Sequence, residues 1–218
     1  MPKITHLIYD FDGLLLDTEP IYCRVNEIIA SRYGKTFTPE LHRKIMGRQA
    51  MACAEILVKE LDLPLSAEAH LQARDEIIYD LLPQAKPMPG AVEMTEHFYA
   101  LGIPQAIATS SAAVTFNKKV THYQSWLLRF QAIVLGDDLA VKHGKPAPDS
   151  FLVAAQRLGA DPASCLVLED SPAGIEAAKA AGMWAIAVPA AHMKRSLYQA
   201  ADEIISGLPD FEGQRWGL

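Results

Sequence analysis

Short apolar runs that each stop at a side chain able to do chemistry are the feature that most restricts this chain. Residues 4–9 run into Asp10, residues 103–108 into Thr109-Ser110-Ser111, and residues 132–135 into Gly136-Asp137-Asp138. Residues 165–168 run into Glu169-Asp170, and residues 184–188 into Pro189. The runs are continuous or nearly so rather than alternating, the pattern of strands buried on both faces of a parallel sheet. Helical stretches separate them. Residues 172–181 follow Ser171 as N-cap, carry Pro172 in the first position and stop at Gly182, and residues 149–158 stop at Gly159. The expected class is therefore α/β, a doubly wound (Rossmann-like) parallel sheet. Ligands of such sheets sit beyond the carboxyl ends of the strands where strand order reverses, which puts Asp10, Thr109 and Glu169-Asp170 on one edge.

Strand signals vanish between residues 16 and 87. Ile21, Val25, Ile28 and Ile29 follow helical spacing up to Gly34, Ile56, Leu57 and Leu61 begin a second pattern, and Ile77, Ile78, Leu81 and Leu82 a third. Residues 86–90, Lys-Pro-Met-Pro-Gly, make a natural hinge back. The expected division is a core of residues 1–15 and 88–218, with a small all-helical cap of residues 16–87 inserted after the first strand. A length of 218 residues suits one domain carrying such an insert.

With 20 basic against 26 acidic side chains the net charge is −6, and the basic pairs Lys118-Lys119 and Lys194-Arg195 read as solvated helix faces. Binding to a nucleic acid polymer is not expected of such a chain. An anionic small molecule would be held by local groups. Three scattered cysteines, Cys23, Cys53 and Cys165, with no Cys-x-x-Cys pair, point to reduced thiols and a cytoplasmic setting. No apolar stretch is long enough to span a bilayer, so no membrane association is expected, and the expected state is a monomer.

Asp10-Phe11-Asp12-Gly13 closes the first strand with two carboxylates that can divide nucleophile and acid roles, although a loop-capping Asp-Gly turn has the same letters. Thr109, Ser110 and Ser111 offer hydroxyl and N–H groups before a helix, as a phosphate cradle or an ordinary cap. Lys145 lies in a proline-stiffened loop, Gly144-Lys145-Pro146-Ala147-Pro148, that is not a Walker A loop. Glu169 and Asp170 can complete an oxygen shell for Mg²⁺ with Asp10, or simply cap the following helix. Asp137 and Asp138 read as a turn, and Arg48, in Met46-Gly47-Arg48, as a substrate-holding cation or a solvated side chain.

Taken together and in this order, Asp10-Phe11-Asp12-Gly13, Thr109, Lys145 and Glu169-Asp170 resemble the four motifs of the haloacid dehalogenase superfamily of phosphohydrolases. The insert resembles that superfamily's helical type of cap. The stretches at residues 12–19, 46–48, 88–90, 134–138 and 143–146 are most similar to the pseudouridine 5′-phosphatase and β-phosphoglucomutase-like group, in which Lys is expected where this chain has Arg48. The resemblance implies a Mg²⁺-dependent hydrolase of small phosphate monoesters, nucleotide or sugar phosphates, with pseudouridine 5′-phosphate among the candidates. It implies Asp10 as nucleophile and Asp12 as acid and base. The Asp10 carboxylate, the Asp12 carbonyl and the Asp170 carboxylate would hold the metal, with Glu169 in support. Thr109, the Ser110 N–H and Lys145 would hold phosphate oxygens, and a cap carrying Arg48 and Glu19 would close over the substrate. Asp12 argues against a dehalogenase, which needs no such acid. The alternative is a β-phosphoglucomutase-like sugar phosphomutase, and the four intact motifs argue against a binding module without turnover.

Overall fold

The computed structural model describes residues 3–45 and 50–218. From the N-terminus, β1 (His6–Tyr9) leads to β2 (Leu16–Asp17). Four helices follow, α1 (Glu19–Arg32), α2 (Pro39–Ile45), α3 (Ala50–Glu60) and α4 (Ala67–Leu81), and the chain returns through β3 (Lys86–Pro87). Helices and strands then alternate: α5 (Ala91–Ala100), β4 (Gln105–Ala108), α6 (Ala113–Lys119), α7 (Gln124–Leu127) and β5 (Ala132–Val134). The remainder is α8 (Asp149–Leu158), β6 (Cys165–Glu169), α9 (Pro172–Ala180), β7 (Trp184–Ala187) and β8 (Glu203–Ile204).

The chain divides into two compact units, Met1–Asp17 with Lys86–Leu218, and Thr18–Ala85. The division falls two residues inside the expected span of 16–87 at each end. Leu16 pairs with Pro87 and Asp17 with Lys86 in an antiparallel ribbon that stays with the first unit. Strands of two residues are too short to show a period, so the sequence could not reveal them.

In the first unit six parallel strands form one sheet in the order β5-β4-β1-β6-β7-β8. Every residue of β4 and β6 is buried, as continuous apolar strands covered on both faces require. Phe151, Ala154 and Ala155 of α8 and Ile175, Ala177 and Ala178 of α9 share a core cluster with the strands. The small alanines let these helices approach the strands closely. Ser171 caps α9 as expected, its Oγ accepting the Gly174 N–H at 3.1 Å, with Pro172 in the first turn. The one polar side chain of β4 is satisfied internally. Gln105 accepts the Tyr9 hydroxyl at 2.8 Å and donates to the Thr95 carbonyl at 2.9 Å.

Among the described residues of the second unit, two hydrophobic clusters form. Val25 and Ile29 of α1 pack with Ile78 of α4, Leu63 and Leu82, while Leu41 and Ile45 of α2 pack with Leu57 of α3. Helix α2 is an addition to the three patterns read from sequence. It has seven residues and buries only Leu41 and Ile45, too few to declare a face.

Candidate active site

The order of the sheet explains where chemistry can gather. After β1 the chain builds β4 and β5 on one side, then crosses through α8 to build β6, β7 and β8 on the other. Strand order reverses about β1, so the ends of β4, β1 and β6 open into one crevice. Asp10 follows β1, Thr109 follows β4, and Glu169 and Asp170 stand at the end of β6. Backbone pairing carries past the strand ends: Asp10 N–H donates to Leu168 O and Thr109 N–H to Val134 O, both at 3.0 Å.

Lys145 enters from the loop before α8. Its ammonium donates to Asp10 Oδ1 at 2.5 Å, to Ala108 O at 3.1 Å and to Glu169 Oε2 at 3.3 Å, and it lies 4.7 Å from the centre of the Phe151 ring. Asp10, Glu169 and Asp170 each bring a carboxylate oxygen within 4.8 Å of the others. Ser171 Oγ donates to Glu169 Oε1 at 2.9 Å, so both oxygens of that buried side chain are engaged. The Tyr198 hydroxyl donates to the Asp170 carbonyl at 2.6 Å.

Burial, then the charges of Glu169 and Asp12, pushes the Asp10 carboxyl up to about 7 against the pull of Lys145. Burial, then Glu169 and Asp10, holds Asp170 well above the ordinary carboxylate range. Burial alone would lower the Lys145 ammonium, but Asp10, Glu169 and Asp170 outweigh it and keep the group charged. Asp10 and Asp170 thus share one ammonium in a buried setting that disfavours ionising both without further positive charge. An all-oxygen donor set of this kind suits a hard divalent cation such as Mg²⁺, whose charge would restore the ionised forms. The donors thus fit a metal by their chemistry and by their charge.

Two glycines make room for the cluster. A Cβ on Gly13, which has φ +86°, would stand 2.3 Å from Asp170 Oδ2. A Cβ on Gly174, in the first turn of α9, would stand 2.0 Å from the Glu169 carboxyl carbon.

Asp12 belongs to a second, adjoining set. Its Oδ1 accepts from Lys119 Nζ at 2.5 Å, and its Oδ2 accepts from the hydroxyls of Ser111 at 2.8 Å and Thr109 at 3.3 Å. Lys119 also donates to Ser111 Oγ at 2.7 Å. This corrects the reading of Lys118-Lys119 as a solvated face. Lys118 is exposed, but the Lys119 side chain has 0% exposure. Lys119 is a polar residue that sequence reasoning missed, whereas Ser111, read with Thr109 and Ser110 as a phosphate cradle or a cap, meets Asp12 and Lys119 instead. The available signal was the placement of Lys119 one helical turn after Phe116, the other buried residue of α6.

The remaining expected residues divide. Ser110 is exposed in the loop after β4, where Gly136 packs so closely that a Cβ there would stand 2.2 Å from the Ser110 carbonyl oxygen. Asp137 accepts the Ala113 N–H at the start of α6, while Asp138 accepts the Ala140 N–H and pairs with Arg157 at 2.6 Å. Both act as turn and cap groups outside the carboxylate cluster, as the turn reading expects. Arg48 lies outside the described residues. Among those described, no helix is long and apolar enough to cross a membrane.

Comparisons with known proteins cover most of the chain. The family model described as haloacid dehalogenase-like hydrolase matches residues 7–188. A (DL)-glycerol-3-phosphatase 2 from Arabidopsis thaliana is 43% identical, over 99% of this chain and 92% of its own. A probable pseudouridine-5′-phosphatase from Drosophila melanogaster is 38% identical, over 99% and 95%. A solved structure, a putative beta-phosphoglucomutase from Thermotoga maritima, superposes with a TM-score of 0.77 at 32% identity, covering 93% of this chain and 94% of that one.

Proposed function

Because the chain belongs to the haloacid dehalogenase-like hydrolase family, we propose that it is a Mg²⁺-dependent phosphatase of small polyol, sugar or nucleoside phosphates that works through an aspartyl-phosphate. The broader class, a phosphoric monoester hydrolase, follows from the family and from its phosphatase relatives. The observation that carries the finer reading is the buried Asp10 carboxylate, held by Lys145 at 2.5 Å beside the carboxylates of buried Glu169 and half-buried Asp170.

On this reading Asp10 attacks phosphorus in line, the ester oxygen leaves, and the phosphoryl group rests on the Asp10 carboxylate. Lys145 fixes Oδ1 of Asp10 and so orients the attacking carboxylate, and with Thr109 and the Ser110 N–H it offers donors to the transferring oxygens. Asp12, in its protonated form, gives that proton to the leaving alkoxide and then, as the carboxylate, takes one from the water that hydrolyses the acyl phosphate. Lys119 and Ser111 hold the Asp12 carboxylate in a fixed plane for that work. Mg²⁺, held by Asp10, Asp170 and the Asp12 carbonyl with Glu169 in support, would supply Lewis-acid neutralisation of the phosphate charge.

Phosphate release with and without Mg²⁺, across glycerol 3-phosphate, pseudouridine 5′-phosphate and hexose phosphates, tests the proposal. Glycerol 3-phosphate is the first choice, because that relative shares 43% identity. Mg²⁺-dependent release with one ester far ahead in kcat/KM supports it, and no release from any ester overturns it. The resemblance to a putative beta-phosphoglucomutase favours a second reading, a sugar phosphomutase. That enzyme would isomerise a hexose phosphate with little free phosphate.

A further inference from the structure

The helical unit contains a cluster of a different chemical kind. Glu19 and Cys23 stand four residues apart on α1 and so share one face of the helix. His42 reaches them from α2. Its Nε2 lies 3.4 Å from Cys23 Sγ and 3.5 Å from Glu19 Oε1, and the donor atoms of all three residues fall within 4.8 Å of one another. The Phe37 ring lies beside the imidazole, with centroids 6.0 Å apart.

Those separations have a geometric meaning. Around a tetrahedral zinc ion, bond lengths of about 2.3 Å to sulfur and about 2.0–2.2 Å to nitrogen and oxygen place sulfur and nitrogen about 3.6 Å apart, and nitrogen and oxygen about 3.4 Å apart. The two distances from His42 Nε2 already match these edges. One soft sulfur, one imidazole and one carboxylate also make the donor set that favours zinc over magnesium.

We propose that Glu19, Cys23 and His42 form a second cation site, confined to the helical unit and selective for a zinc-class divalent ion, with the fourth position open to water or an external ligand. A reactive-thiol role fits the same residues less well. Burial, then Glu19 and Glu27, raises the Cys23 thiol to about 11, which keeps it protonated and a poor nucleophile in the absence of a metal. A bound ion would also do mechanical work. Helix α1 packs in one hydrophobic cluster of the unit and α2 in the other, so a shared ligand set fastens the two clusters together.

The test uses the full chain, stripped of metal and kept in excess Mg²⁺ so that the carboxylate cluster at the sheet edge is occupied. Titration with Co²⁺ should give one equivalent per chain with an intense thiolate-to-metal charge-transfer band, and one equivalent of Zn²⁺ should abolish the band. Cys23→Ser should remove the band, whereas Cys53→Ser should retain it. His42→Ala should weaken Zn²⁺ binding by more than the roughly 10–100-fold typical of losing an outer-shell partner. Binding of Zn²⁺ should also slow amide exchange in α2. Bound Co²⁺ without a thiolate band, or Zn²⁺ affinity equal in the parent chain and in His42→Ala, would leave the triad a hydrogen-bonded cluster only and overturn the proposal. Should Cys23→Ser fail to fold, the presence or absence of the band in the parent chain and in Cys53→Ser decides. None of these readouts depends on hydrolysis, so the result stands apart from the phosphatase reading.

Discussion

The carboxylates at the sheet edge and the polar triad of the helical unit solve the problem of unlike side chains in opposite ways. Asp10 and Glu169 are buried, their backbones are fixed by parallel strands on either side, and their charges are crowded around Lys145. Glu19, Cys23 and His42 are half-buried, sit on two helices, and meet through side chains alone. The first arrangement is rigid and strongly charged, which suits transition-state stabilisation. The second is looser and chemically softer, which suits an exchangeable ligand. Substitutions should therefore act on turnover in the sheet unit and on local stability or cation choice in the helical one.

The strongest way to break that contrast is Asp10→Asn. It should lower kcat by at least about 10⁴-fold while the thermal midpoint above pH 7 stays the same or rises. Burial and Glu169 raise the Asp10 carboxyl to about 7, so that its ionised form disfavours the fold, and Lys145 keeps Glu169 as a partner. Phosphate release and a melting curve on the same sample check both halves. Substantial residual turnover would remove Asp10 from the nucleophile role.

Lys119→Met comes next, with kcat falling about 10²-fold and more steeply for alkyl phosphates than for p-nitrophenyl phosphate, whose leaving group needs less help from an acid. Loss of one partner from this pair should also cost about 3 kcal/mol of stability, because the Asp12 carboxylate is left without its ammonium. The double variant with Asp12→Asn should recover much of that stability and none of the activity. Equal losses on both esters would make Lys119 a structural residue with no bearing on Asp12 as acid.

How much of this was legible in the sequence follows from the same contrast. Asp10, Thr109 and Glu169-Asp170 could be placed because a continuous buried strand announces its own end, and the parallel sheet brings such ends together. Lys119 was harder to read. Only its place one turn after Phe116 marks it as the inward member of the Lys-Lys pair, and its partner Asp12 lies 107 residues away in the chain. The need for Gly13 and Gly174 was equally hidden, since the atoms that exclude a side chain there belong to Asp170 and Glu169 in the folded state. Helix α2 escaped notice because seven residues with two buried positions carry no period. The ribbon of β2 and β3 escaped for the same reason, and it moved the boundary between the units by two residues.

Removal of metal gives a smaller effect on stability that still separates the two regions. On the proposed function Mg²⁺ would bind the folded chain alone, so a hundredfold excess over its dissociation constant should stabilise the protein by about 2.7 kcal/mol. Asp170→Asn should abolish most of that shift, and Cys23→Ser none of it. A Mg²⁺ shift that survives Asp170→Asn would take Asp170 out of the proposed ligand set.

The smallest expected effect tests whether an ordinary contact in the helical unit stays separate from turnover. Ser66 caps α4, its Oγ accepting the Ala69 N–H at 3.1 Å. Ser66→Ala leaves that N–H to water and should cost about 1 kcal/mol, read as a lower denaturation midpoint. Helix α4 contributes Ile78 to the cluster that also holds Val25 and Ile29 of α1, so loosening it disturbs packing without touching a group that meets the phosphate. With Mg²⁺ saturating, kcat should stay within about twofold, because a loss of this size leaves nearly all molecules folded. A fall in kcat comparable to that of Lys119→Met would mean that the packing of the helical unit sets the chemical step, and the division of labour between the two units would fail.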